Sequence, residues 1–410
     1  MKVRLILIVI AGVAIAGTFF AGYAAAGFTV DGPPGVANQE PSPELLDEAS
    51  SEFDIFWEAW DRLQETYYEG PRDVAELVRG ATRGMVASIG DPHTAYVDAD
   101  LARLDRERLE GSFDGIGTTV ELDDNGHLRI VRPLPGSPAE SAGIQAGDVV
   151  ISVDGLATRG RDLADIVKQV RGPRGTEVVL TIQRAGESEP LTFTVVRDEI
   201  VVPSVVSDVV DGYGYVRLTT FGSHTADDLR TVLRNFREAG VLGIILDLRN
   251  NPGGFLESAI DVSSEFVPRN TIVVRENTRD EGERIFRSSS SPTIPDLPVA
   301  VLINGGSASA SEIVAGVISD YGRGVLIGET TFGKGSVQIP YSLSDESVVR
   351  VTVAIWLTPD GQHLDGEGIS PDFDLAFNGG ELGTLDDNYI RAAIGVLEGG
   401  PCCENYVDAA

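Results

Sequence analysis

The sequence predicts an α/β core with a mixed sheet and flanking helices, interrupted by an inserted β-rich domain and preceded by a small helical region. Three patterns carry this. Phe53, Phe56, Trp57, Trp60 and Leu63 fall at i, i+3, i+4, i+7 and i+10, the spacing of one buried helical stripe. From Gly111 the pattern changes to short strands broken by turn signals. From Val201 to Phe377, wholly apolar strands alternate with helical segments, the rhythm of a sheet covered on both faces.

The chain divides accordingly. Residues 1–30 read as a signal or membrane-anchor segment and 31–43 as a Pro/Gly-rich linker. Residues 44–106 form the helical region, with a second amphipathic stretch from Asp73 to Ile89. The β-rich insert spans 107–198. Strands at Ile116–Val120 and Leu128–Val131 flank the hairpin signal Asp124-Asn125-Gly126. Further strands are read at Asp148–Val153, Glu177–Gln183 and Leu191–Val196, with a helix face at Leu163, Ile166, Val167 and Val170. The α/β core spans 199–378. Its strands are Gly243–Leu248, Val299–Ile303, Val325–Ile327 and Val348–Trp356, with helices after Gly254 and after Ser309. A C-terminal tail, 379–410, holds a last helix at Asp386–Leu397.

Composition narrows the function. The formal charge is −31, so the surface repels phosphate backbones and nucleic acid is set aside as a partner. Lys2 and Arg4 precede a run from Leu5 to Val30 without a charged residue. That run is long enough to span a bilayer, and the positive flank places the body of the chain outside the cytoplasm. Ala24-Ala25-Ala26 also fits a cleavage site. An uncleaved anchor would hold the chain at the membrane, facing the periplasm or cell exterior; cleavage would make it secreted. The cysteines are Cys402 and Cys403, which give no metal spacing and no thiol nucleophile in the core. No cofactor and no metal site is expected. Among 32 basic residues the lysines are Lys2, Lys168 and Lys334. Arginine effectively never gives up its proton, whereas a buried lysine can, so a lysine retained at 334 stands out.

Three loops have the residue types for chemistry. Strand Val299–Ile303 runs into Asn304-Gly305-Gly306-Ser307-Ala308-Ser309-Ala310-Ser311-Glu312, a serine cluster at a helix start, where developing negative charge is stabilised. Ser309 with Glu312 also reads as a capping box. The segment Gly328-Glu329-Thr330-Thr331-Phe332-Gly333-Lys334-Gly335-Ser336-Val337-Gln338 nearly matches a phosphate-binding loop, but Gly335 stands where the magnesium hydroxyl belongs and the sequence after it looks extended. Asp247-Leu248-Arg249-Asn250-Asn251-Pro252-Gly253-Gly254 puts two glycines before a helix, which suits an oxyanion hole or a plain strand–helix turn.

Together the S-A-S-A-S-E, D-L-R-N-N-P-G-G and G-K-G-S-V-Q runs resemble the carboxyl-terminal processing peptidases. So do Gly90-Asp91-Pro92-His93-Thr94 and Gly366-Glu367-Gly368-Ile369-Ser370-Pro371-Asp372, so that the resemblance covers about Glu44 to Phe377 in order. Lys334 lies 25 residues after Ser309, and Gln338 four after Lys334. The resemblance implies Ser309 as nucleophile, chosen over Ser307 and Ser311 on that ground alone, with Lys334 as base. Burial lowers a lysine pKa, so such a base is chemically sound. Gln338 would hold the lysine nitrogen toward Ser309, and the N–H groups of Ala310 and of Gly253 or Gly254 would serve the oxyanion. Residues Gly111–Asp198 resemble a PDZ domain, with Gly115-Ile116-Gly117-Thr118 as the carboxylate-binding loop and the peptide added as a strand beside helix Asp162–Val170. The implied function is a serine endopeptidase cutting exported proteins near their C-termini, with protein or peptide substrates as partners, membrane contact through an uncleaved anchor, and self-association open. A non-catalytic PDZ scaffold is the first alternative. A PDZ protease with a Ser-His-Asp triad is the second, and it needs one of His93, His127, His224 or His363.

Overall fold

The structure, a computed structural model, describes residues 43–123, 126–279 and 281–399. The anchor segment, nearly all of the linker, two residues of the hairpin turn (124 and 125) and the cysteine pair lie outside them. The described residues fall into two compact units, 107–204 and 43–106 with 205–399.

The second unit begins with α1 (Pro43–Thr66), α2 (Val74–Ala87), β1 (Ala95–Val97) and α3 (Ala99–Glu110). Asp73 caps α2 by accepting from Glu76 N–H at 2.9 Å. The aromatic stripe of α1 is helical but not buried as expected: Phe53 is 52% and Trp57 54% exposed. The helical period correctly sets which residues share a face. Whether a face is covered depends on what packs there, and only Phe56 and Trp60 are partly covered.

The 107–204 unit contains, in order, β2 (Ser112–Gly115), β3 (Thr118–Leu122), β4 (Leu128–Pro133), α4 (Pro138–Ser141), β5 (Val149–Val153), β6 (Leu156–Ala157), α5 (Leu163–Val170), β7 (Glu177–Gln183), β8 (Leu191–Val196) and β9 (Asp198–Val201). Its sheet runs β3-β4-β5-β7-β8, with β6 on β5, while β2 pairs β9. Alternate residues Val178, Leu180 and Ile182 of β7 point inward, where Ile166 of α5 closes the core.

The α/β core continues with β10 (Val205–Val210), β11 (Tyr213–Leu218), α6 (Thr225–Ala239), β12 (Ile244–Asp247), α7 (Leu256–Ser264), β13 (Ile272–Thr278) and β14 (Gly282–Arg287). Then come β15 (Val299–Ile303), α8 (Ala310–Asp320), β16 (Val325–Gly328), β17 (Ser336–Ser342), β18 (Val348–Leu357), β19 (Phe373–Asp374) and α9 (Asn388–Leu397). The main sheet is β10-β11-β12-β15-β16-β19, parallel from β11 to β19. A second sheet joins β1, β18, β13 and β14, with β17 also on β18.

The continuous apolar run of β15 follows from this layering. Val299, Val301 and Ile303 pack into the cluster with α7 and α8 residues, while Ala300 and Leu302 pack on the other face with Tyr389 and Ile390 of α9. Helix α9, which lies after residue 378, thus packs into the core. Because β12, β15 and β16 are parallel, the loops that leave their C-terminal ends emerge at one edge of the sheet. These are the three loops singled out in the sequence.

Candidate active site

Ser309 sits at the N-cap of α8, 2% exposed, with φ 54° and ψ −112°. A serine in this left-handed region is strained, and such strain persists only where surroundings hold it. The neighbouring serines are engaged differently. Ser307 Oγ donates to Leu248 O at 2.8 Å, and Ser311 Oγ donates to Asn251 O at 2.8 Å. Both hydroxyls therefore staple the β15–α8 turn to the loop after β12. The structure thus separates Ser309 from Ser307 and Ser311, which residue pattern alone does not.

Glu312 does more than cap a helix. Its buried carboxylate accepts Ser309 N–H at 2.7 Å and Lys334 N–H at 2.9 Å through Oε2. Through Oε1 it accepts the Thr331 hydroxyl and Gly333 N–H, both at 2.6 Å. One side chain therefore ties the serine turn to the lysine loop. Burial pushes the Glu312 carboxyl above the usual carboxylate range, while the hydrogen bonds from Thr331, Gly333, Ser309 and Lys334 pull it back.

Lys334 is 2% exposed. The G-E-G-I-S-P-D segment explains its flanking glycines. A Cβ at Gly335 would lie 2.2 Å from Asp365 N, and one at Gly333 would meet the backbone of 366–368 at 3.1 Å. Thr331 exchanges hydrogen bonds with Ile369, fixing the same contact. β17 follows at once, so the extended reading after Gly335 holds and no helix stands there to receive a phosphate. Gln338, on β17 and 2% exposed, donates through Nε2 to Ser336 Oγ at 2.8 Å and to Thr352 Oγ1 at 3.3 Å. That leaves its amide oxygen as the acceptor end.

The third loop closes against Ser309. A Cβ at Gly253 would stand 3.0 Å from both Ser309 Cβ and Ala310 N, and 2.8 Å from Ala308 O, so only glycine fits. The Gly253 N–H already donates to Asn251 Oδ1 at 2.9 Å. No acceptor engages the N–H of Ala310 or Gly254 among the described residues. Behind the loop is an ionic cluster that sequence reading did not single out. Buried Arg249 bonds both oxygens of Asp247 (2.9 and 2.6 Å) and of Asp387 (3.2 and 2.7 Å), and Tyr215 OH donates to Asp247 at 2.9 Å. Burial alone would lower the Arg249 pKa, but the two carboxylates raise it; burial and Asp247 both raise that of Tyr215. The signal available in sequence was the D-L-R run. Its partner Asp387 lies 138 residues away.

No histidine hydrogen-bonds Ser309 among the described residues. His127 pairs with Asp123 in the 107–204 unit, and His224 stands at the N-cap of α6. In that unit, Gly115, Ile116 and Gly117 are buried and Thr118 opens β3, which lies at the end of its sheet order. Ile116 O and Gly117 O accept from Ala139 N–H and Leu134 N–H, each at 2.9 Å, pinning the loop. At Gly117, φ is 73° and a Cβ would lie 2.5 Å from Ser137 Cβ.

A buried serine with positive φ at a helix start, a buried lysine on the neighbouring loop and a small β domain whose β3 ends its sheet order fit a serine-type peptidase carrying a PDZ domain. Comparison with known proteins gives the family. Residues 212–375 match the model of Peptidase family S41, 129–184 that of the PDZ domain, and 14–101 that of the activating protease CtpB N-terminal domain. The chain is 38% identical over 321 residues to the carboxy-terminal-processing protease of Bartonella bacilliformis, covering 77% of this chain and 73% of that one. It is 38% identical over 322 residues to carboxy-terminal processing protease CtpA of Bacillus subtilis, covering 78% and 68%. An S41 protease structure from Bacteroides fragilis shares the fold at TM-score 0.53 and 20% identity, over 84% of this chain and 97% of that one. The chain belongs to Peptidase family S41 and is a carboxy-terminal processing protease by family.

Proposed function

We propose that this chain cuts proteins near their C-termini through a Ser309–Lys334 dyad. The observation that carries the reading is the Glu312 carboxylate. It accepts the backbone N–H groups of Ser309 and Lys334 on one oxygen, which brings the two backbone segments together and supports reading their side chains as one site. In this reading neutral Lys334 takes the Ser309 proton, Ser309 Oγ attacks the scissile carbonyl, and the lysine returns the proton to the leaving amine. Gln338 offers its amide oxygen to the lysine nitrogen. Ala310 N–H is one oxyanion donor at the positive end of α8. Gly254 N–H is the second, because Asn251 engages that of Gly253. The acyl-enzyme is then hydrolysed by water.

Substrate C-termini are held by the Gly115–Thr118 loop, with the peptide strand added on the open edge of β3. Hydrogen bonds to a charged carboxylate contribute about 1.5–3 kcal/mol, or roughly 10–100-fold in affinity. The same peptide with an amidated C-terminus should therefore show kcat/KM lower by about tenfold or more. Equal cleavage of the two forms would remove the carboxylate from recognition. The apolar run after Lys2 and Arg4 supports action outside the cytoplasm. Alkaline phosphatase fused after Pro43 should then be active in cells, and an inactive fusion would refute export.

A further inference from the structure

The loop that leaves the C-terminal end of β11 carries none of the groups assigned above, yet it backs the oxyanion loop. β11 runs parallel to β12, so residues 219–222 emerge at the same edge of the sheet as 248–254. The two segments are laced together. Asn251 Nδ2 donates to Leu218 O at 2.9 Å, Phe221 N–H donates to Gly253 O at 3.0 Å, and Phe255 N–H donates to Phe221 O at 2.8 Å. The last two bonds make a parallel bridge between Phe221 and Gly254. A Cβ at Gly254 would lie 2.2 Å from Phe221 O, so this approach needs glycine.

The bridge decides where the Gly254 N–H points. In a trans peptide the carbonyl oxygen and the amide hydrogen lie on opposite sides. The Gly253 carbonyl faces residues 220 and 221, so the Gly254 N–H of the same peptide faces away from them. The Gly253–Gly254 peptide has no side chain at either end to resist rotation. Its orientation is therefore set by what holds its carbonyl. One holder is the Phe221 N–H. The other is a side chain: the buried Thr220 hydroxyl donates to the same Gly253 oxygen at 3.2 Å. Thr220 is itself held. Thr225, the first residue of α6, donates through Oγ1 to Thr220 O at 3.2 Å, and the same Oγ1 accepts Gly222 N–H at 2.9 Å.

We propose that Thr220 is a positioning residue of the peptidase reaction: its hydroxyl holds the Gly253 carbonyl and so keeps the Gly254 N–H turned to serve the oxyanion. The inference rests on the reading that Gly254 N–H is the second oxyanion donor.

Thr220→Val keeps the shape and removes the hydroxyl, whereas Thr220→Ser keeps the hydroxyl and removes a methyl group. A donor used only in the transition state affects kcat and leaves KM alone. Thr220→Val should lower kcat by about tenfold with KM unchanged. That is short of the roughly 10²–10³-fold that follows outright loss of an oxyanion donor, because Phe221 N–H still holds the carbonyl. Thr220→Ser should retain most of the activity. A second readout isolates the oxyanion. In the peptide aldehyde made from the acyl half of the assay peptide, Ser309 Oγ adds to the carbonyl carbon and the carbonyl oxygen takes the oxyanion position. Its inhibition constant should rise about tenfold in Thr220→Val and stay near the parent value in Thr220→Ser. If Thr220→Val does not fold, Thr220→Ala, which also removes the hydroxyl, is read in the same way. Full activity in the variant without the hydroxyl, or an equal loss in Thr220→Ser, would overturn the proposal. A fall in kcat with aldehyde binding unchanged would overturn the route through the oxyanion while leaving the Ser309–Lys334 reading intact. An aldehyde that forms no adduct with Ser309 in the parent would overturn the reading of the site, and the role of Thr220 with it.

Discussion

Lys334→Arg should fold and have no measurable peptidase activity, a loss of about 10³-fold or more. The substitution keeps the positive charge but not the ability to give it up, because a guanidinium effectively never deprotonates. A lysine in a surface ion pair would tolerate the change at about 0–1 kcal/mol. Lys334 is buried between two glycines pressed on neighbouring backbone, so the larger side chain meets steric resistance as well. Lys334→Met separates the two effects. It matches the length of the lysine stem, removes the amine, and should fold with the same loss of activity, measured by cleavage of an unfolded protein beside a thermal melt. Either variant, folded and near wild-type rate, would remove the lysine from the mechanism.

Glu312→Gln should be nearly as damaging, for a different reason. All four groups bonded to the Glu312 carboxylate are donors. Glutamine supplies one acceptor oxygen and an NH2 group, so two buried donors lose their acceptor and face another donor. Each buried unsatisfied donor costs about 1–3 kcal/mol. Relief of the carboxylate's desolvation, which the raised pKa of Glu312 reports, offsets part of this. The net loss should remain about 2 kcal/mol, or roughly a 5 °C drop in thermal midpoint. Activity should fall by about 10²-fold, since Ser309 and Lys334 would no longer be held in mutual register. A Glu312→Gln protein that melts and cleaves like the parent would show that the carboxylate bridge is incidental.

The parts of this fold that read well from sequence are those whose pattern is local. β15 was legible because five consecutive buried residues in a parallel strand must all be apolar, and β7 because its burial alternates. The three loops were legible because glycines and serines cluster where backbone must turn tightly at strand ends. What escaped was set by distant partners. The aromatic stripe of α1 has the period of a buried face, but its cover depends on other surfaces. The hairpin of β13 and β14 was not anticipated, nor was α6, although Leu229, Leu233 and Phe236 line its buried face. Arg249 takes its second carboxylate from Asp387, at the far end of the chain. Glu312 was visible as the fourth residue of S-x-x-E, yet nothing local to the helix says that its carboxylate also receives Thr331, Gly333 and Lys334. The residue types alone likewise do not distinguish Ser309 from its neighbours, because the hydrogen-bond partners of Ser307 and Ser311 belong to another loop.

The central claim is that Ser309 is a nucleophile activated by Lys334. The most direct measurement is labelling by a fluorophosphonate, which loses fluoride to an activated serine and forms a stable ester with it, the labelled residue being located by mass spectrometry. The parent should be modified at Ser309 alone among the three serines of the turn, and Lys334→Met should be modified about 10³-fold more slowly or not at all. Modification at Ser307 or Ser311 instead, or equal labelling of Ser309 with and without the lysine amine, would contradict the account.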